Sequence, residues 1–366
     1  MTEEELHALL TLQHVPNLGD GSIKRLVKRF GSAEEVLKQK KKALLETDQI
    51  GTFRIKEIFD PEHVREAEKE VKFIQDNNLQ YTAYFEPQYP ARLKHCLDGP
   101  VLIFTRGEIN FENSKIISVV GTRKVTTQGI AFVKKFIEDL APIDPVIVSG
   151  FAYGVDIQAH RAAMDHDLET WGVLAHGLDQ IYPKVHAKYQ KELEKRGGFI
   201  TDFWSRDSFD RTNFLRRNRI IAGISEATVV IESAEKGGSL VTAEIANSYN
   251  RDVFAVPGRP DDSQSKGCNN LIKSQKAHLL TSAADLVYLL NWDIAGKPKP
   301  VQKQLFVDLD DQERKIWNCL KTAQKEHLDL IARSCNIPAF RVAGLLLNME
   351  LKGVVRPLPG KLFELV

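Results

Sequence analysis

The most regular pattern in the chain is an alternation of short apolar runs with amphipathic helical stretches between about residues 80 and 290. Nearly continuous apolar runs indicate strands that are buried on both faces, and helices between such strands indicate a parallel sheet. The pattern therefore predicts an α/β domain with a doubly wound, mostly parallel sheet. The predicted strands span residues 116–120, 146–149, 170–175, 199–201, 228–231 and 253–256.

Helical patterns flank the predicted sheet on both sides. Apolar residues at helical spacing predict a helical domain over residues 1–79. Residues 291–304 contain Gly296-Lys-Pro-Lys-Pro300 and are predicted to form a linker. Residues 305–366 show the element order of a winged helix-turn-helix domain. Its predicted helices span residues 310–320, 328–335 and 338–351, and its predicted hairpin spans residues 354–365 with a turn at Pro359-Gly360.

Composition adds limits on partners and compartment. The 366 residues carry a net charge of +1, so a surface for a polyanion requires basic residues gathered locally. The four cysteines form no Cys-x-x-Cys pair, which indicates reduced thiols in a cytosolic protein. The N-terminus lacks the features of a signal peptide, and no apolar run has the length of a membrane span. We therefore expect a cytoplasmic protein that makes no membrane contact.

The first candidate site is the turn after the strand at 116–120, where the chain reads Val119-Val-Gly-Thr-Arg-Lys124. Ligands of open α/β sheets bind outside the carboxyl ends of the strands, where the next helix N-terminus suits a phosphate. The three-glycine dinucleotide fingerprint is missing, and Arg123 stands at its second glycine position, so we expect no cofactor. Arg123 offers a planar cation to a phosphate, and an ion pair with a surface carboxylate is the alternative explanation.

The second candidate turn, Ser149-Gly-Phe-Ala-Tyr-Gly154, uses small residues that let another backbone approach. Asp156 and His160 follow it and share one face of the next helix. We interpret the pair as structural, with Asp156 near the helix N-terminus and His160 hydrogen-bonded to it. A metal site is rejected because a third ligand at matching spacing is missing from the sequence.

Two later turns carry weaker signals for a phosphate. Lys184 stands at the start of a predicted helix, where its charge opposes the helix dipole unless an anion is shared. A solvated lysine explains Lys184 nearly as well. The loop Gly237-Gly238-Ser239 follows the strand at 228–231 and has the composition of a backbone cradle for a phosphate.

The segment 211–219, which reads RTNFLRRNR, is the most informative one. It places four arginines around Phe214 with no carboxylate between them. Cations that follow a phosphate backbone and a ring that stacks on a base are what single-stranded nucleic acid requires. A solvated helix with Phe214 in the core is the alternative, although such helices usually intersperse charges of both signs. Whether Arg216 joins the binding surface or faces solvent stays open.

Taken together, these segments closely resemble the DNA-processing protein A family (DprA, also called Smf). The resemblance covers the whole central region, in order. It is carried by Gly121-Thr-Arg123 with Gly129, by residues 149–156 with Ala159-His160, by Gly177-Leu-Asp179 with Tyr182-Pro183, by residues 217–223 (RNRIIAG), by residues 238–243 (GSLVTA), by residues 253–258 (VFAVPG) and by residues 267–272 (GCNNLI).

The resemblance implies an extended Rossmann-like fold that binds and protects single-stranded DNA. It also implies that the protein helps to load the RecA recombinase during natural transformation and that it forms a homodimer. We expect a binding protein rather than an enzyme. The DNA-binding residues that the resemblance implies are Arg123, Lys184, Arg211, Phe214, Arg217, Asn218 and Arg219, with backbone contacts at Gly150, Gly238 and Ser239.

The resemblance extends less tightly to the flanking domains. Residues 1–79 resemble the helix-hairpin-helix or SAM-like modules of some family members, with Asn17 where the hairpin usually has glycine. Asparagine tolerates the left-handed conformation, so we expect the turn to be kept. DNA binding and a packing or interaction role are both open for this domain. The predicted helix at 338–351 offers Arg341 and Asn348 as polar readers and is otherwise rich in leucine, which favours protein interaction or weak DNA binding.

An enzyme of the nucleotide phosphoribohydrolase type is the main alternative function. The loop Gly237-Gly238 with Glu244 is similar to the P-G-G-x-G-T-x-x-E motif of those enzymes. However, Leu240 and Val241 replace the Gly-Thr that would hold the phosphate, and Lys236 replaces the proline. A transcription regulator acting through the winged helix is a further alternative, but the arginines of the sheet domain argue against it.

Overall fold

A nine-stranded sheet organises the larger part of the chain. The structure is a computed structural model that describes residues 1–47, 50–51, 57–205, 207, 209–292, 309–352, 354–358 and 362–365. The chain divides into two compact units, residues 1–294 and 295–366. The strands of the sheet are β1 (Gln80–Ala83), β2 (Leu102–Gly107), β3 (Ile116–Val120), β4 (Val146–Ser149), β5 (Thr170–Val173), β6 (Gly197–Thr201), β7 (Ala227–Val230), β8 (Asp252–Ala255) and β9 (His278–Leu279).

The strand order is β1-β2-β6-β5-β4-β3-β7-β8-β9. Strands β3 to β9 pair in parallel, whereas β1 and β2 add an antiparallel edge through β6. The chain proceeds outwards from β3 to β6, returns to the far side of β3 and continues from β7 to β9. This reversal between β3 and β7 is the switch point of a doubly wound sheet. The predicted Rossmann-like fold class is confirmed, with all six predicted strands present.

Helices cover both faces of the sheet. Buried residues of α7, α8 and α13 pack on one face, including Phe136 and Val155. Buried residues of α6, α10, α11 and α12 pack on the other, including Ile220 and Leu271. These helices are α6 (Ala91–Lys94), α7 (Thr127–Leu140), α8 (Val155–Asp165), α9 (Gln190–Lys195), α10 (Arg211–Ile224), α11 (Gly238–Ser248), α12 (Lys266–Lys273) and α13 (Ala283–Leu289).

The N-terminal helices belong to the same compact unit as the sheet. Leu9 and Leu10 of the first helix share a core with Phe104 and Trp204 of the sheet region. The turn after this helix has Asn17 at φ 64°, so asparagine occupies the left-handed conformation as expected. The five helices are α1 (Glu3–His14), α2 (Asp20–Phe30), α3 (Ala33–Leu37), α4 (Lys41–Leu45) and α5 (Pro61–Asp76).

The second unit is a winged helix, as predicted. Its helices are α14 (Asp311–Ala323), α15 (Leu328–Cys335) and α16 (Ala339–Leu351), and its antiparallel sheet has the order β10-β12-β11. The strands are β10 (Lys325–His327), β11 (Val355–Leu358) and β12 (Leu362–Leu365). The predicted turn at Pro359-Gly360 and residues 293–304 of the predicted linker lie outside the described residues.

Among the helices that the structure describes, no single one is long and apolar enough to cross a membrane. Taken together, α15 and α16 are long and apolar enough, but a bend of 107° separates them.

Candidate functional site

A groove lies at the carboxyl ends of β3, β4 and β7, at the switch point of the sheet. We call it the strand-end groove, and its volume is about 580 Å³. The turns after the strands and the first turns of α10 and α11 form its walls. Its lining includes Gly121, Thr122, Arg123, Ala152, Asp156, Tyr182, Phe209, Arg211, Phe214, Leu215, Arg217, Asn218, Ser233, Lys236, Gly237, Gly238, Ser239 and Thr242.

Glu232, just beyond β7, holds the turn after β3. Its backbone oxygen accepts a hydrogen bond from the Thr122 amide at 2.7 Å, and its carboxylate accepts from the Thr126 amide at 2.9 Å and the Thr126 hydroxyl at 2.5 Å. Gly154 packs against the same turn with φ 78°, and a Cβ there would collide with the Thr122 carbonyl. These contacts fix the backbone of the turn that contains Arg123.

Three exposed cations surround the groove. Arg123 extends from the turn after β3, Arg211 begins α10, and Lys236 precedes α11. The Arg123 guanidinium lies 5.2 Å from the centre of the Phe214 ring. Arg123 is therefore held over an aromatic face, and its charge remains accessible from the groove. Within the residues that the structure describes, it forms no ion pair with a carboxylate.

Tyr182, Phe209 and Phe214 form an aromatic cluster in the groove wall. The distance between ring centres is 4.6 Å for Tyr182 and Phe209, 5.5 Å for Phe209 and Phe214, and 6.0 Å for Tyr182 and Phe214. Tyr182 is 40% exposed and Phe209 45% exposed, so both rings offer free surface. Phe214 is half-buried within this cluster. It is therefore neither fully exposed nor in the core, where the alternative interpretation of this segment placed it.

Arg217 lies under the groove and is only 4% exposed. Its guanidinium donates to the Gly150 carbonyl at 2.7 Å and to the Val173 carbonyl, and it faces the buried carboxylate of Asp156. Burial lowers the pKa of Arg217 to about 10, with Asp156 acting in the opposite direction. A Cβ at Gly150 would come within 2.6 Å of both the Arg217 and the Asp156 side chains. Glycine at this position therefore leaves room for the Arg217 and Asp156 side chains.

Arg219 lies apart from the groove. It forms ion pairs with Asp20 of α2 at 3.0 Å and with Asp202, and it donates to the Asp98 carbonyl. Burial alone would lower the pKa of Arg219, but the two carboxylates outweigh burial and raise it. The carboxylates that are missing from the segment 211–219 are thus supplied to Arg217 and Arg219 by distant parts of the chain.

The N-terminus of α11 forms the opposite wall of the groove. Gly237 is the N-cap residue and has no side chain, so the first amides of this helix begin beside the groove without a side-chain cap. Gly238 is exposed, Ser239 is buried and bonded to Ser233, and Asn218 donates to the Gly238 carbonyl at 3.4 Å. Backbone N–H groups at a helix N-terminus are suited to an anion.

Two basic residues lie at the margin of this arrangement. Lys184 is exposed and begins a short 3-10 helix directly after Tyr182-Pro183, next to the groove wall rather than in it. The Arg216 guanidinium lies 5.0 Å from the centre of the Phe203 ring, and Arg216 is not among the residues that line the groove. The structure therefore places Arg216 outside the groove.

The predicted bond between Asp156 and His160 is wrong. His160 is fully buried and bonds to the Thr170 hydroxyl at 2.7 Å, whereas Asp156 accepts from the Ala152 amide at 3.4 Å. The two side chains share a helix face, but the sheet and the turn after β4 supply their partners. Within the described residues, no group of three or more metal-ligating side chains is present.

Sequence reasoning missed Phe209, Tyr182 and Lys236 as site residues. Phe209 stands just ahead of the basic segment, and Tyr182 stands two residues before Lys184. Both positions therefore carried a signal, since aromatic residues next to basic ones are typical of single-strand binding surfaces. Lys236 stands where the phosphoribohydrolase motif has a proline, and that comparison gives no signal for a phosphate contact.

The groove and its setting define a class of protein: a Rossmann-like α/β fold with a basic, aromatic-lined groove at its switch point, followed by a winged helix. Residues 80–291 match the family model for DNA recombination-mediator protein A, and residues 300–361 match the model for the DprA winged helix domain. The chain belongs to the DNA recombination-mediator protein A (DprA/Smf) family.

Known relatives agree with this assignment. The chain is similar to Protein Smf of Synechocystis (28% identity, all of both chains) and to Protein Smf of Escherichia coli (33% identity, 74% of each chain). Among solved structures it is similar to DNA processing protein A of Streptococcus pneumoniae, with a TM-score of 0.65, 27% identity and coverage of 80% of this chain and 99% of that one. A structure of DNA processing protein A from Helicobacter pylori, described for its single-stranded DNA binding mode, has a TM-score of 0.52 at 25% identity and covers 58% of this chain and 96% of that one.

Proposed function

We propose that this chain binds single-stranded DNA in the strand-end groove. The main support for the proposal is that three exposed cations, Arg123, Arg211 and Lys236, line the same groove as the aromatic cluster. The cations interact with successive phosphates, and the rings stack on bases that are free of a partner strand. The uncapped amides at Gly238 and Ser239 add a further anion position.

Stacking on the aromatic cluster favours single strands over duplex. A base reaches the exposed faces of Tyr182 and Phe209 only when it is unpaired and turned out of a stack. Base–aromatic stacking contributes roughly 1–3 kcal/mol per base and accepts every base. We therefore expect binding with little sequence preference.

The two buried arginines have a supporting role in this proposal. Arg217 holds the turn at Gly150 and neutralises Asp156, while Arg219 joins α10 to the N-terminal helices through Asp20. Both guanidinium groups are already occupied by oxygens of the chain. Direct phosphate contacts are accordingly assigned to Arg123, Arg211 and Lys236, with Lys184 at the margin.

The groove supports binding rather than catalysis. The motif glutamate of the alternative enzyme, Glu244, is exposed on α11, lies 3.7 Å from Lys276 and does not line the groove. In the proposed function, the bound strand is protected and passed to the RecA recombinase in the cytoplasm during natural transformation. The names of two relatives, DNA processing protein DprA in both cases, support a role in DNA processing.

The homodimer is proposed to form at the far edge of the sheet. Strand β9 is the edge strand and exposes Leu279, and the helix that follows it in the chain, α13, exposes Tyr288 and Leu289. An exposed edge with apolar side chains is typical of an association surface.

The test of the groove is the affinity of an oligothymidine for the variant Arg123→Ala/Arg211→Ala, measured by fluorescence anisotropy. Loss of two phosphate contacts is expected to weaken binding at least about tenfold, or roughly 1.4 kcal/mol. The matched control is Lys134→Ala/Lys195→Ala, which removes two exposed cations elsewhere on the same unit. Equal loss in both double variants would show general charge attraction and would contradict a binding groove.

A further inference from the structure

A second groove lies on the N-terminal helices, between α1, α3 and α5, with a volume of about 820 Å³. Its floor is formed by Ala8, Leu37 and Val71. Ala8 and Val71 are buried, so the half-buried Leu37 offers the most accessible of these three side chains. Its rim carries five carboxylates and two lysines. We call it the acidic groove, and its charged lining residues are Glu3, Glu4, Glu34, Glu68, Asp76, Lys38 and Lys72.

The rim has two lysines against five carboxylates and therefore carries an excess of negative charge. Within the residues that the structure describes, none of the five forms an ion pair, whereas Lys38 is held 2.7 Å from Glu35. Lys72 is the remaining rim cation. The acidic groove therefore presents a net negative rim around an apolar floor.

Helix dipoles explain only part of this charge. Glu3 and Glu4 lie in the first turn of α1, where carboxylates are stabilised by the positive end of the helix. Asp76 is the last residue of α5, whose last turn holds no basic residue. A carboxylate at that negative end is unfavourable within the isolated helix, and a cation brought to it from outside would relieve the repulsion.

We propose that the acidic groove is a docking site for a basic amphipathic helix of a partner protein. An apolar stripe on such a helix fits the floor formed by Ala8, Leu37 and Val71, and flanking lysines or arginines meet the rim. DNA does not suit this surface, because its phosphates would face carboxylates. The groove lies on elements other than those of the strand-end groove, so the proposal goes beyond DNA binding and is tested separately from it.

The experiment uses the full chain and a labelled amphipathic peptide of about five helical turns, with leucine on one face and lysine on the other. Its affinity is measured by fluorescence anisotropy. The groove variant is Glu4→Gln/Glu68→Gln/Asp76→Asn. The control variant is Glu108→Gln/Glu192→Gln/Asp261→Asn, which neutralises three exposed carboxylates elsewhere in the same unit. Leu37→Gln tests the floor separately.

We expect the groove variant to weaken peptide binding about tenfold, since each exposed ion pair contributes modestly, and the control variant to change it less than about twofold. Leu37→Gln is expected to weaken binding at constant rim charge. Thermal unfolding of all variants confirms that the chain remains folded. The proposal is overturned if the wild type does not bind the lysine peptide, if both triple variants lose affinity equally, or if Leu37→Gln leaves the affinity unchanged.

Discussion

The buried arginine beneath the strand-end groove offers the most demanding prediction. Arg217→Met keeps much of the side-chain volume but removes the guanidinium that donates to Gly150 and Val173 and faces Asp156. In the variant, the carboxylate of Asp156 stays buried without its opposite charge. The turn at Gly150 also loses the group that holds it against β5.

The expected loss of unfolding free energy follows from the burial of Asp156 and Arg217. Breaking a buried pair by removing one partner typically costs about 3–5 kcal/mol, because the remaining charge is uncompensated. Burial already raises the pKa of Asp156, and Arg217 is the strongest of the groups that oppose this rise. Removing Arg217 should therefore raise the pKa of Asp156 further, so that it takes up a proton at neutral pH more readily.

The assay is urea unfolding of Arg217→Met, Asp156→Asn and the double variant at pH 7. Arg217→Met is expected to lose about 3–5 kcal/mol of unfolding free energy, and adding Asp156→Asn is expected to restore part of it. A loss below about 1 kcal/mol, or a strictly additive double variant, would refute the supporting role. Arg217 would then be free to contact DNA directly.

Three further predictions concern the aromatic cluster, a buried histidine and a turn. Phe214→Ala should weaken oligothymidine binding by roughly 1–3 kcal/mol while duplex binding changes little, as measured by anisotropy; equal losses for both ligands would contradict stacking. Burial lowers the pKa of His160 from 6.5 to about 3, so its contribution to stability is complete above pH 6.5 and is lost as the pH falls towards 3. Between pH 6.5 and 5.5 the unfolding free energy of the wild type, measured in urea, should fall by about 1 kcal/mol more than that of His160→Gln. Parallel plots of unfolding free energy against pH for the two proteins would contradict this. Gly154→Ala should destabilise the fold by at least about 1–3 kcal/mol, since Gly154 has φ 78° and packs against the Thr122 carbonyl; an unchanged Tm would contradict that.

The sheet was predictable because parallel strands that are buried on both faces consist of nearly continuous apolar residues. The predicted bounds of β3 and β4 match the structure, and those of the four other predicted strands differ by at most two residues. The strands that were missed in this sheet are β1 and β2, which form the antiparallel edge, and β9 at the opposite end; β10 of the winged helix was also missed. Strand β2 pairs antiparallel to β6 and so falls outside a strand–helix alternation, and β9 has only two residues, both exposed.

The groove was predictable in outline because ligands of this fold class bind where the strands end. Arg123, Arg211, Phe214, Gly238 and Ser239 all line the strand-end groove. The turns that carry them follow strands that could be located from hydrophobicity alone.

The partners of the basic residues could not be predicted, because they come from distant parts of the chain. Arg219 pairs with Asp20, 199 positions away, and Arg217 bonds to Gly150, 67 positions away. The segment 211–219 therefore looks uniformly basic in the sequence, although the structure has two of its arginines held by internal oxygens. His160 shows the same limit, since its partner Thr170 lies on β5 rather than on its own helix.

The most direct test of the account is binding to single-stranded and duplex oligonucleotides of equal length across a salt series. With Arg123, Lys184, Arg211 and Lys236 as phosphate contacts, single-strand affinity should fall about 50-fold between 50 and 200 mM salt. The account predicts tighter binding to the single strand at every salt concentration, since stacking on Tyr182, Phe209 and Phe214 is insensitive to salt. Equal affinity for both ligands, or tighter duplex binding, would contradict it.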